Sequence, residues 1–258
     1  WRNSILKKMY NKGLSKMDHL VAISDYVKET IVKKYNLPPN NISVINRGVD
    51  TEYFNQPLDI AIRDNIIKTH QVDTAKKIIL FPARMTSWKG QLEFINVLKK
   101  MDTQNILVLF AGDTKNKSYT KLVRDKIEKN NLEGVCKILG SVNQDEMRSL
   151  FHVADLSVSF PLRAEGFGRT VSESLYSKTP VLAFDYGGVK NQLANLSEIF
   201  KVKPQDYQAL PAKIEKLLSL SEVQKKEAIE GVQLVIENNF SKINMVNQYL
   251  KLYESLKS

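Results

Sequence analysis

The sequence of 258 residues holds one cysteine, Cys136, so no internal disulfide can staple the chain. The fold must rest on its core, and the position of Cys136 within the apolar stretch 135–139 marks it as a buried filler suited to a reducing, cytoplasmic setting. Histidine is nearly as scarce. His19, His70 and His152 are far apart and form no metal-ligand spacing, so no metal site is expected. His152, inside Leu150-Phe151-His152-Val153-Ala154, reads as a packed helix residue and not as a base. Long apolar runs are missing too: the longest, residues 106–111, falls far short of the roughly 20 residues that cross a bilayer. No low-complexity block or internal repeat is visible, and 43% apolar with 26% charged residues is an ordinary globular balance that excludes a disordered tail. The opening Trp1-Arg2-Asn3-Ser4 carries neither an initiator methionine nor a signal pattern, and is read as a cut or processed end with something missing upstream.

What the chain has in excess is positive charge. Thirty-eight Lys and Arg against 28 Asp and Glu leave a net +10, which favours anionic partners: nucleic acid, an acidic membrane surface or a phosphorylated substrate. The lysines are spread over many segments and no nucleic-acid reader module is present, so nucleic acid is not expected as a partner.

From about residue 42, short β-rich runs alternate with amphipathic segments. Ile42-Ser43-Val44-Ile45, Ile78-Ile79-Leu80-Phe81, residues 106–110, 135–139, 156–160 and 180–184, and a weaker run at 199–202, read as strands buried on both faces. Helices fit between them: residues 90–100 with Leu92, Ile95 and Leu98 inward, residues 119–130 with Leu122, Val123 and Ile127 inward, and a third after the capping box Asn143-Gln144-Asp145-Glu146. This order predicts an α/β fold, a Rossmann-like doubly wound parallel sheet, with a helical carboxyl-terminal tail. Beyond residue 205 three helical stretches are expected, one opened by Ser221-Glu222-Val223-Gln224 and the last by Ser241. The last carries a stripe, Ile243, Val246, Leu250, Tyr253 and Leu256, that wants a partner. Near the start, Leu20-Val21-Ala22-Ile23 reads as a strand without a neighbour, followed by a helix opened by Ser24 and stopped by Pro38-Pro39. The expected organisation is a remnant or linker of an amino-terminal domain (1–40), a ligand-binding α/β domain (41–236) and a terminal helix (237–258).

Open parallel sheets bind ligands at the carboxyl ends of their strands. After the run at 78–81 comes Pro82-Ala83-Arg84-Met85-Thr86-Ser87-Trp88-Lys89-Gly90. The planar fork of Arg84 and the compact charge of Lys89 suit a diphosphate, although two solvated surface cations would look the same. After the run at 156–160, Glu165 precedes Gly166-Phe167-Gly168 and a helix start near Arg169 and Thr170, whose free N–H groups suit phosphate. Glu173 lies eight positions after Glu165 and fits two readings: a ligand, or the last member of a capping box Thr170-Val171-Ser172-Glu173 in a first helical turn. Asp185-Tyr186-Gly187-Gly188 follows the next strand as a glycine turn.

These loops, in this order, resemble the carboxyl-terminal half of glycosyltransferase family 4, the group 1 glycosyltransferases of the GT-B fold. The resemblance rests on Arg47-Gly48-Val49-Asp50 with Phe54, on Ala83-Arg84 through Lys89-Gly90, and on Gly140-Ser141-Val142. It rests further on the pair Glu165 and Glu173 with Phe167-Gly168 between, and on the strand ending in Gly187-Gly188; it covers about residues 20–258. It departs from the pattern at Ala83, Asn46 and Asn191, where glycine, proline and glutamate are usual, and in lacking the amino-terminal half with its acceptor site.

The resemblance implies a retaining, metal-independent transfer of sugar from a UDP- or GDP-linked donor to an acceptor hydroxyl, in lipopolysaccharide, cell-envelope or other glycan synthesis, with no further cofactor. Arg84, Lys89 and Glu165 would be catalytic. Gly48, Val142, Gly166, Phe167, Gly168, Arg169, Thr170 and Glu173 would bind the donor nucleotide. The acceptor, a glycan or lipid-linked group, would be met through the missing half, and peripheral contact with an anionic membrane is compatible with the charge. The alternative is a non-catalytic nucleotide-sugar-binding fragment.

Overall fold

Six of the apolar runs line up side by side in one parallel sheet. The computed structural model describes residues 13–256, and the sheet is built from β3 (Lys77–Pro82), β4 (Ile106–Ala111), β5 (Cys136–Gly140), β6 (Leu156–Ser159), β7 (Val181–Phe184) and β8 (Lys201–Val202). Their order is β5-β4-β3-β6-β7-β8, all parallel, so successive strands are added outward on one side and then outward on the other. Strands of such a sheet are covered on both faces. β3, β4 and β7 accordingly bury nearly every residue, and Phe81, Phe94, Phe110, Phe160 and Phe184 form a chain of tilted ring contacts through the core.

One face carries α4 (Gln91–Leu98), α5 (Lys117–Lys129) and α9 (Leu210–Leu218), which pack on one another. The other carries α3 (Ile60–Thr69), α6 (Gln144–Val153), α7 (Arg169–Tyr176) and α11 (Val232–Phe240), with the short α2 (Thr51–Phe54) against α7. The short α8 (Val189–Leu193) follows β7. The capping boxes expected at Asn143–Glu146 and Ser221–Gln224 are both formed, the second opening α10 (Glu222–Ile229).

Several expectations are corrected. Leu20–Ala22 forms β1 and does have a neighbour: it pairs in parallel with β2 (Ile42–Val44), Val21 opposite Ser43, in a separate two-stranded sheet. The run at 42–45 therefore does not open the main sheet. Between these strands, α1 (Asp25–Tyr35) is capped by Ser24 as expected, but it ends at Asn36 in the left-handed region, before either proline. Leu122 lies on the outer face of α5, 55% exposed, and Tyr119 and Thr120 take the inward positions with Val123 and Ile127. Among the described residues beyond 205 there are four helices and not three, because Gly231, at φ 77°, breaks the chain between α10 and α11.

The fourth is α12 (Lys242–Ser255), capped by Ser241. Its stripe Ile243, Val246, Leu250, Tyr253 and Leu256 stands exposed. The start of α12 is joined to the early chain: Val49 N–H donates to Phe240 O and Lys242 N–H to Val49 O, both at 2.7 Å, and the Lys242 ammonium meets Asp50 at 3.0 Å. Among the described residues no helix is long and apolar enough to cross a membrane.

Candidate functional site

The strand order reverses between β3 and β6, the point at which an open parallel sheet carries a ligand crevice, and the loops that follow these two neighbours meet there, Leu162 N–H donating to Trp88 O at 2.8 Å. The loop after β3 is fixed through its backbone: Ala83 N–H donates to Ala111 O at 2.9 Å and Met85 N–H to Asp113 O at 2.8 Å. The fully buried Gln91 at the head of α4 donates to Arg84 O at 3.0 Å and accepts from the Tyr119 hydroxyl. The main chain of Arg84 is thereby held while its guanidinium stays exposed, with no ion pair to any described residue. Lys89, at the far end of the loop, lies 4.6 Å over the Trp88 ring and forms an ion pair with Glu165.

Glu165 belongs to the loop after β6, and its side chain is only 9% exposed. Three residues on, Gly168 adopts a left-handed φ of 85° and heads α7 with no side-chain cap. A bulkier residue would be strained there, and its Cβ would lie 2.3 Å from a methyl of Val189. The Gly168 N–H has no partner among the described residues, and the helix behind it presents its first amides, those of Arg169 and Thr170.

Glu173 is the fifth residue of α7, which rules out the capping-box reading of 170–173 and leaves the ligand reading: the helix starts two residues earlier than that motif requires. Its carboxyl is 9% exposed as a residue and meets Arg169 Nε at 2.9 Å. Burial pushes its pKa up to about 7, against the opposing pull of Arg169.

The glycine turn after β7 does more than reverse the chain. Gly188 N–H donates to Glu165 O at 2.8 Å, and a Cβ on Gly188 would fall 2.2 Å from Gly166 O, so the two loops lie back to back. The Tyr186 hydroxyl donates to Pro161 O at 2.6 Å. Residues assigned to the linker also reach the site. The Ser24 hydroxyl donates to Gly166 O at 2.5 Å, and Asn191 donates to Asp25 at the same distance.

The structure thus brings Lys89, Glu165, Gly166, Gly168, Arg169, Thr170 and Glu173 together, with Arg84 on the facing loop. Phe167 is placed differently: its ring is buried against Phe240, with centroids 5.8 Å apart, and its carbonyl is turned inward onto Gln192. Gly48 follows the small sheet and not a strand of the large one, and its N–H points at Met245 Sδ of α12 at 3.3 Å. Val142 follows β5, with β4 and β3 between it and β6. Sequence reading passed over Gln91, Gln192 and Asp25, and took Ser24 only as a helix cap. The first two resemble surface polar residues in sequence, and their burial follows from tertiary packing alone.

A groove of about 700 Å³ lies elsewhere, at the amino ends of β6 and β7 and lined by Asp155, Ser177, Lys225 and Gln233. Its buried Lys225 is matched by Asp155 and Glu222, while Lys178, Lys226 and the head of α11 at Gly231 also line it. No cluster of three or more metal-ligating side chains occurs among the described residues.

Comparison with known proteins gives a consistent result. The family model "Glycosyl transferases group 1" matches residues 62–231, and "Glycosyltransferase Family 4" matches residues 1–53. A crystal structure of a glycosyltransferase from Rickettsia africae superposes with a TM-score of 0.88 at 31% identity, covering 98% of this chain and 67% of that one. HepE from Anabaena, solved with UDP and glucose, gives 0.84 at 19% identity over 96% of this chain and 66% of its own. An uncharacterized glycosyltransferase of Methanocaldococcus jannaschii is 25% identical over 201 residues, 78% of this chain and 50% of the relative. The alpha-maltose-1-phosphate synthase of Mycobacterium tuberculosis is 26% identical over 179 residues, 68% and 46% respectively. The chain spans about half the length of the curated relatives it matches.

Proposed function

The chain belongs to the group 1 glycosyltransferases of the GT-B type, and on that premise we propose that it is the donor-binding half of a retaining enzyme that moves a sugar from a nucleoside diphosphate to an acceptor hydroxyl. The observation that carries this reading is the Lys89–Glu165 pair set beside the uncapped head of α7, at the point where the strand order reverses. As the bond from the anomeric carbon to the diphosphate breaks, negative charge grows on the leaving oxygens. Arg84, Lys89 and the amides at Gly168 and beyond supply fixed positive charge there, the role a metal ion plays in other transferases. The same groups make donor binding independent of metal.

Glu165, held by Lys89, accepts from donor-sugar hydroxyls near the reacting carbon and steadies the positive charge that develops on it. Glu173, one helical turn deeper, accepts from the ribose hydroxyls. Backbone near Val142 meets the base; three strand spacings, about 14 Å, separate β5 from β6, a span suited to an extended ligand. Gly48 acts from behind, through the segment that joins α12. HepE, a structural neighbour, was solved with UDP and with UDP-glucose, which supports a nucleotide-sugar donor.

The acceptor is a glycan or lipid-linked group of envelope or other glycan synthesis, oriented by the half of the protein that this chain does not span. The +10 charge suits work at an anionic membrane surface on the cytoplasmic side. Because orienting two reactants can supply about 7 to 11 kcal/mol of a barrier, the chain alone binds donor without appreciable transfer. The exposed stripe on α12 favours that second, binding-only behaviour for the isolated chain. A calorimetric panel of uridine, guanosine and adenosine diphosphates and their sugars tests the donor site; absence of binding by all of them refutes it. Turnover by this chain comparable with that of the longer protein, on the same donor and acceptor, refutes the two-half reading.

A further inference from the structure

Gln192 is 1% exposed, among the most deeply buried polar residues, and is the fourth residue of α8. Its Nε2 donates to Phe167 O at 2.5 Å and more distantly to Gly188 O at 3.4 Å, while its Oε1 accepts the Ser172 hydroxyl at 2.5 Å. One amide therefore grips the loop after β6, the first turn of α7 and the loop after β7. Its neighbours Val189 and Leu193 are buried apolar residues, and an apolar side chain of similar volume would fill the same space without the cost of desolvating an amide.

The grip falls on a particular peptide unit. The Phe167 carbonyl and the Gly168 N–H share one plane and point in opposite directions across a trans peptide bond. Drawing Phe167 O inward onto Gln192 turns the Gly168 N–H outward, and that N–H is the one left without a partner at the head of α7.

We propose that Gln192 is a positioning residue of the donor site, which fixes the 167–168 peptide so that the Gly168 amide and the head of α7 face the diphosphate. This rests on the donor reading above. Ser172 sets the orientation of the amide: by donating to Oε1 it leaves Nε2 turned toward Phe167. A glutamate can replace the glutamine only while protonated, when it offers one donor and one acceptor; methionine offers neither.

The test compares wild type, Gln192→Met and Gln192→Glu in the full chain, by calorimetry with uridine, guanosine and adenosine diphosphates and with the matching free nucleosides. Hydrogen exchange over residues 165–172 is followed without ligand. Gln192→Met is expected to lose about tenfold in diphosphate affinity, to bind free nucleoside within twofold of wild type, and to exchange faster in that segment. Gln192→Glu is expected within threefold of wild type at pH 5 and weakened like methionine at pH 8; wild type at the same pH cancels the titration of Glu173 and the charges of Glu165, Lys89, Arg169 and Lys190. If Gln192→Met does not fold, Ser172→Ala, which frees the amide to turn, carries the same expectation at a few-fold. Unchanged diphosphate affinity, or equal loss for nucleoside and diphosphate, overturns the proposal. A wild type that binds none of the three diphosphates overturns the donor reading instead, and the exchange rates still decide whether Gln192 holds the loop.

Discussion

Arg169 and Glu173 face each other one turn apart on α7, Nε 2.9 Å from Oε1, yet burial outweighs the cation and holds the Glu173 carboxyl up at about 7. The folded chain therefore keeps a proton between about pH 4.5 and 7 that the unfolded chain has lost. Stability from this group falls as pH rises through that window, by about 3 kcal/mol, and is level above it. Urea unfolding of Glu173→Gln across pH 4.5–8 should show that slope removed.

The same titration bears on binding. Ribose hydroxyls donate to an ionised carboxylate better than to a protonated one, so nucleotide affinity should rise as pH passes upward through 7. Calorimetry at pH 6 and pH 8 checks this, and an equal pH dependence in Glu173→Gln would assign the effect to another group.

Arg84 and Lys89 separate by their partners. Arg84 has no ion pair among the described residues, so Arg84→Ala should leave stability unchanged and weaken diphosphate binding roughly 10- to 100-fold, as loss of charge-assisted hydrogen bonds does. Lys89→Ala leaves Glu165 buried and unmatched, and should also cost about 3 kcal/mol of stability. Denaturant midpoints read beside binding isotherms distinguish the two.

Diphosphate affinity should be the same with a chelator present as without one, because the cations and amides of the crevice supply the positive charge. A titration in EDTA is sufficient, and binding that vanishes there contradicts the assignment of Arg84 and Lys89.

Gly188→Ala should destabilise the chain by about 2 kcal/mol or more, since the new methyl meets the Gly166 carbonyl and neither backbone can yield. Thermal unfolding measures it, and rapid hydrogen exchange at 165–168 should accompany it.

The strands of the large sheet were legible because a parallel strand buried on both faces leaves an unbroken apolar run such as Ile78-Ile79-Leu80-Phe81. The site loops were legible for a related reason: chemistry at the ends of such strands stands beside the runs. What escaped was set by contacts between distant segments. Nothing near Leu20 shows that Ile42 will lie beside it, and nothing near Gly188 shows that Gly166 will back onto it. The spacing Thr170 to Glu173 satisfies the rule for a capping box, but Gly168, free to enter the left-handed region, starts the helix earlier and wins. Leu122 fits an inward face by hydropathy, yet the phase of α5 is set by Tyr119, Val123 and Ile127. Gln192 and Gln91 are polar, and only tertiary packing shows them buried.

The backbone bridge between Val49 and the start of α12 has a consequence for the order of events during synthesis. Asp50 and Lys242, the ion pair beside it, are 192 positions apart, so on the ribosome the early segment emerges about 10 to 40 s before its partner exists, at 5–20 residues per second. Until then Val49 has no Phe240 carbonyl to donate to, and Gly48 has no wall behind it. Closing so long a loop is also the entropically slow step of a refolding chain, so the Arg47-Gly48-Val49-Asp50 segment should be among the last parts to become protected, well after the large sheet. A polypeptide ending before residue 240 would keep the eight described strands and still leave that segment unfastened.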